Sequence, residues 1–235
     1  MVLLALACVA DDAPQAIAFA VQVHGENTAA AVNAHGATVE LTRARACVGR
    51  IETHAGEAVL VARAGAFVDD LLSIARARAH PGHYDEGGLM GEVDGDLEVD
   101  LLGGVVDKGT AAGISGHHGS AALTWCALDS GAAVELAGEA LVDGERIFFT
   151  ASAPVPDDAV VGIAVDVDLA DGDVLDLGID VFAFVDRVDF AAVAAGTAAS
   201  PTPFAVGSQA DNAVGRALRS SATFVFSRRN NGSSP

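Results

Sequence analysis

Histidine and carboxylate crowd the two ends of one stretch of this chain. His80, His83, Asp85 and Glu86 fall within HPGHYDE, and His117 and His118 fall within SGHHGS. Imidazole beside carboxylate suits a transition-metal centre or general acid–base chemistry. The spacing argues against both. Pro81-Gly82 breaks any helix that would align His80 with His83. Adjacent His117 and His118 point to opposite faces if they lie on a strand. The expectation is a polar surface loop that holds no metal and does no catalysis. A metal-dependent enzyme built on residues 80–118 is the alternative.

A second cluster, Asp166, Asp168, Asp171 and Asp173, reads D-x-D-x-x-D-G-D. Calcium loops use carboxylates this close together. An EF-hand also needs Gly at its sixth position and Glu at its twelfth, and Leu177 stands at the twelfth here. The cluster is expected to be an acidic turn without a cation. Ser115 and Ser120 flank the paired histidines, but no G-x-S-x-G elbow surrounds them. There is no P-loop, and no G-x-G-x-x-G follows a strand. One Trp and one Tyr argue against stacking platforms for single-stranded nucleic acid. The sequence marks no catalytic residue and implies no cofactor.

The third group is basic. Arg216, Arg219, Arg228 and Arg229 lie in residues 212–235, which contain no acid, whereas residues 81–211 hold 24 acids and 3 bases. Such a tail either clamps a neighbouring subunit or sits on the body's own carboxylates. We expect the four arginines to make a subunit contact. The whole chain carries 32 acidic and 13 basic residues, a net charge of -19, and Lys108 is its only lysine. This composition, rich in Asp, Ala, Gly and Val, is that of a protein adapted to concentrated salt. There, at about 1 M, the screening length falls to about 3 Å and carboxylate repulsion largely vanishes.

The elements that must position these residues are mostly strands. Alternating or β-branched runs occur at 16–23, 37–43, 58–63, 121–128, 132–138, 146–152, 160–169, 180–186 and 222–228. Helical spacing appears at 67–79, where Phe67, Leu71, Ile74 and Ala75 share a face, and more weakly at 210–221 and 26–34. Residues 82–120 read as a long irregular Gly- and Asp-rich stretch. A phrase recurs: VGRIETHAGEAVLVARAG at 48–65, VGIAVDVDLADGDVLDLG at 161–178, and the weaker VGRALRSSATFVFSRR at 214–229. Its Gly pivots, Gly56 and Gly172, suggest reuse of one small hairpin unit.

The expected fold is mainly β: small sandwich or barrel units with two or three minor helices and a long Gly/Asp-rich loop. The chain reads as a single β-rich body over 1–235. An insertion at 66–120 separates β units at 1–65 and 121–195, and a helix, strand and basic tail occupy 196–235. Cys8, Cys47 and Cys126 are widely spaced with no CxxC, so they are expected to be small core residues rather than a disulfide framework or zinc ribbon. The start, MVLLALACVADD, lacks the basic segment of a lipoprotein signal, which argues against lipidation at Cys8. No run approaches the roughly 20 apolar residues of a membrane span.

Residues 137–180 resemble the capsid decoration, or cement, proteins of tailed viruses. Gly138, Val142, Gly144 and Ile147 fit the first part of that group's pattern. Val161, Gly162, Ile163, Ala164, Ala170, Gly172, Asp173, Val174 and Leu175 fit the second. Segments 48–65 and 214–229 echo the second part. The resemblance implies a non-enzymatic virion protein that sits on a capsid shell protein, often as a trimer of copies of itself. With the salt signature, it implies a haloarchaeal host and assembly in a high-salt cytoplasm. A cytoplasmic β-rich binding module is a further alternative.

Overall fold

A computed structural model describes residues 14–57 and 87–229. Among these residues 57% are strand and 11% helix, so the chain is mainly β. Among the described residues thirteen strands form one mixed sheet. They are β1 (Ala16–Glu26), β2 (Ala31–Val32), β3 (Thr38–His54), β4 (Leu89–Val93), β5 (Leu97–Asp100), β6 (Val106–Ile114) and β7 (Gly116–Trp125). They continue with β8 (Ala132–Val142), β9 (Glu145–Pro154), β10 (Val160–Leu169), β11 (Val174–Asp180), β12 (Thr202–Pro203) and β13 (Phe224–Arg229). Among the described residues the α-helices are α1 (Ala183–Asp186) and α2 (Gln209–Leu218).

The main path of the sheet runs β12-β9-β8-β3-β4-β6-β1-β11-β13. The long strand β3 organises it by changing partners along its length. Residues 38–46 pair with β8 and 45–48 with β5, whereas 48–54 pair with β7 and 51–54 with β4. β7 in turn pairs with β10. At the other end β1 and β11 run parallel, and β13 closes antiparallel on β11. β10 packs beside β13 without a ladder between them, and the sheet does not close into a barrel. The fold is thus mainly β, as expected from the sequence, and its strands join in one mixed sheet that is not a closed barrel.

Alternation builds the core. Ile17, Phe19, Val21 and Val23 of β1 point inward beside Leu175, Leu177 and Ile179 of β11. Helix α2 buries Ala210, Ala213, Val214, Ala217 and Leu218 on one face. Ser208 caps it, its Oγ accepting from Asp211 N at 3.2 Å. The helix is tied to β7 where Trp125 Nε1 donates to Leu218 O at 3.0 Å. The chain then returns as β13, with Phe224 against Trp125.

Several expectations are corrected. Residues 82–120 are not a long loop: from Leu89 onward they hold β4, β5, β6 and the start of β7. The stretch expected as a helix at 26–34 instead contains the end of β1 and β2. Asn33 explains the local geometry. Its buried side chain accepts from His35 N and Ala37 N and donates to Val188 O, fixing a tight β2–β3 turn. Segment 180–186 is not a strand. Asp180 ends β11, and its Oδ1 accepts from the amides of Phe182 and Ala183 as α1 begins.

The repeated phrase is not one repeated hairpin. Gly172, at φ +79, turns directly into β11. Yet β10 pairs with β7 while β11 pairs with β1 and β13, so the turn is an arch between differently partnered strands. The third copy begins inside α2, where Val214 is buried on a helix face. In the first copy Gly56 follows the end of β3. The strand expected at 58–63 and the helix at 67–79 lie outside the described residues.

Cys47 and Cys126 form a disulfide, contrary to the expectation of separate core residues. Pairing of β3 with β7 brings them together: Val48 faces Trp125, and Cys126 N donates to Cys47 O at 2.9 Å. Their Cα atoms are 5.0 Å apart, within disulfide reach. Spacing along the chain concealed this, because the two residues are 79 positions apart.

Candidate functional site

The two histidines of β7 separate as strand geometry dictates. His118 is fully buried beneath the sheet. Its Nε2 is 3.1 Å from Ile114 O and its Nδ1 is 2.7 Å from Thr53 Oγ1. A carbonyl only accepts, so the neutral ring that satisfies both partners carries its proton on Nε2 and accepts at Nδ1 the one Thr53 hydroxyl proton, in place of that hydroxyl's longer 3.3 Å contact with Gly91 O. Phe19 meets the ring edge-on at 5.7 Å. Burial pushes the imidazole below its ordinary pKa, against the opposing pull of the Ile114 hydrogen bond. This is a neutral structural histidine that ties β7 to β3.

His117 points the other way. Its side chain is half-exposed and faces Asp168 at 3.5 Å and Asp166 at 3.8 Å across the β7–β10 ladder. These are surface pairs of small energy. His80, His83, Asp85 and Glu86 lie outside the described residues. Among the described residues, no group of three or more His, Cys, Asp or Glu is placed to hold a metal ion.

The Asp cluster divides between surface and scaffold. Asp166 and Asp168 are exposed beside His117. Asp171 Oδ1 accepts from Ala18 N at 2.9 Å, which ties the β10–β11 arch to β1. Asp173, buried, accepts from Ala170 N and meets Arg228 Nε at 3.1 Å.

The C-terminal arginines also divide. Arg228 bridges β13 to β10, with Nη1 donating to Asp168 O at 2.7 Å in addition to its contact with Asp173. Arg229 Nη2 donates to Asp176 Oδ1 at 2.8 Å, a carboxylate whose side chain is only 5% exposed. Both arginines thus engage the body's own acids across the open edge of the sheet. Arg219 Nη1 donates to Gly215 O within α2. Arg43, Arg45, Arg50, Arg146 and Arg187 each have a carboxylate within 4 Å as well. Arg216 alone among the described arginines has a guanidinium with no hydrogen-bond or ion-pair partner.

Arg216 lines a cleft of about 380 Å³ between α1 and α2, with Asp180, Asp186, Arg187, Ser220 and Thr223 on its walls. Ala183, Ala213, Ala217 and Ala222 give it room. The sequence reading singled out Arg216 but missed the cleft. α1 carries no cap or periodicity long enough to announce it, and Ser220 is an ordinary turn residue. One further orphan is His54, which is buried with neither ring nitrogen hydrogen-bonded, 3.9 Å from Glu52 Oε2.

Compared with models of known families, with curated proteins and with solved structures, the chain matches none.

Proposed function

We propose that this chain is a virion structural protein: a capsid decoration protein that stabilises the shell of a haloarchaeal tailed virus. The observation that carries the reading is the use made of the polar side chains. His118, Asp171, Asp173, Asp176, Arg228 and Arg229 are each bound to a neighbouring strand, and the Cys47–Cys126 disulfide fastens β3 to β7. These six groups, whose types could serve chemistry, brace the sheet. A disulfide persists best away from a reducing cytoplasm, and a released particle is such a setting.

The acid excess suits a surface facing concentrated salt, and the resemblance across residues 137–180 supplies the virion context. In this reading the partners are the shell protein and further copies of this chain, as a trimer on the lattice. The test is genetic and physical. Particles assembled without the chain should lose shell integrity on heating or dilution, and adding the purified chain should restore it. Equal stability with and without the chain would refute the role.

A further inference from the structure

We propose that the cleft between α1 and α2 receives a surface carboxylate of a second copy of this chain, with Arg216 as its partner. The cleft's own groups define what it lacks. Asp186 Oδ2 is engaged by Arg187 Nε at 3.1 Å. Asp180 Oδ1 is engaged by two backbone amides. Thr223 Oγ1 donates to Ala217 O at 2.7 Å. Asp180 Oδ2 and Asp186 Oδ1 stay open to solvent, and two donors in the cleft have no partner. Arg216 offers its whole guanidinium fork, and the Ser220 hydroxyl accepts from Ala222 N at 3.3 Å while its proton has no acceptor. A group that only accepts satisfies these two donors, and a carboxylate fits the arginine fork in two parallel hydrogen bonds. The volume, about 380 Å³, exceeds a water's share of about 30 Å³ by an order of magnitude and leaves room for a carboxylate side chain.

Charge complementarity names the occupant. A chain of net charge -19 presents carboxylates to every neighbour, and seven of its nine described arginines already face acids of their own. Asp157 and Asp158, exposed on the β9–β10 turn and without ion-pair partners, are acids of the kind required. An acid on one element entering a cleft on another makes a head-to-tail contact, which closes into a ring or runs on as a filament. The proposal rests on the self-assembly half of the functional reading and not on the shell.

The test compares the full chain with Arg216→Glu, Arg216→Lys and Arg216→Gln by size-exclusion chromatography with light scattering, at a salt concentration where circular dichroism shows the native fold. The wild type should be oligomeric. Arg216→Glu should weaken assembly at least about tenfold, because repulsion replaces attraction. Arg216→Lys should fall between, because it keeps the charge and loses the fork. The melting temperature of Arg216→Lys should hardly change, because the guanidinium has no hydrogen-bond or ion-pair partner within the chain, whereas Arg216→Gln and Arg216→Glu should lower it slightly by removing the cation from the last turn of α2. If Arg216→Glu loses the native spectrum, Arg216→Gln carries the comparison. A monomeric wild type, or charge-reversed and neutral variants that assemble as the wild type does, would overturn the proposal. Presence on purified particles is a separate readout, so a failure of this contact and a failure of the virion role are distinguishable.

Discussion

Removing the Cys47–Cys126 disulfide should destabilise the fold severely, by an amount that follows from its position. The bridge closes a loop spanning 79 residues. The chain-entropy relation for a loop of that length gives about 4.5 kcal/mol at 25 °C. For a chain of this size each kcal/mol moves the melting temperature by about 2–4 °C, so Cys47→Ala/Cys126→Ala should melt about 9–18 °C below the wild type. Both half-cystines are buried beside Leu128, which adds a small packing loss in the same direction. Scanning calorimetry of the double variant and the wild type, without reductant and at equal salt, measures the difference. Adding reductant to the wild type should reproduce most of it. A thiol titration of the unfolded, unreduced protein should find one free thiol among the three cysteines. A melting temperature within about 2 °C of the wild type would refute the loop-closure reasoning, and three free thiols would refute the bridge itself.

Three other outcomes follow from particular contacts. Arg229→Ala leaves the Asp176 carboxylate, 5% exposed, without its cation and should cost about 1–3 kcal/mol in urea denaturation; an unchanged midpoint would mean that β13 is not held there. His118 is kept neutral when folded, so the unfolded chain takes up the proton first as pH falls. Stability should be full above about pH 6.5 and decline below it until the lowered folded pKa is passed. His118→Asn, although less stable, should show a shallower decline in melting temperature, and an equal slope would count against this assignment. Residues 81–211 carry a net -21, and at about 0.01 M salt the screening length reaches about 30 Å. Dialysis from about 3 M salt to that level should unfold or dissociate the protein, as circular dichroism and light scattering would report; retention of fold and oligomer would remove the salt-adaptation argument.

The parts of the fold that could be read from sequence are those where one face is buried and the other is not. β8 and β9 alternate cleanly and meet at Asp143-Gly144, both at positive φ, so the sequence carries strand and turn signals together. β3 was legible only over 37–43. Beyond it, Ala46, Cys47, Val48 and Gly49 are all buried, because the strand passes between two pairs of partners there, and the alternation disappears. β4 and β6 were hidden by glycine. A Cβ on Gly91 would lie 2.8 Å from Phe19 Cζ and one on Gly113 2.9 Å from Phe19 Cε1, so these glycines make room for an aromatic ring and do not mark a loop.

Site residues were legible as types and not as partners. The opposite orientations of His117 and His118 follow from strand period alone. The pairing of Asp173 with Arg228 and of Asp176 with Arg229 depends on β13 returning beside β11 after a helix, and no local pattern encodes that return.

Quantitative mass spectrometry of purified haloarchaeal virus particles tests the central claim most directly. The account predicts this chain in fixed stoichiometry to the shell subunit, retained through repeated purification in concentrated salt. Its absence from particles, with the chain recovered only from the infected-cell lysate, would contradict the account.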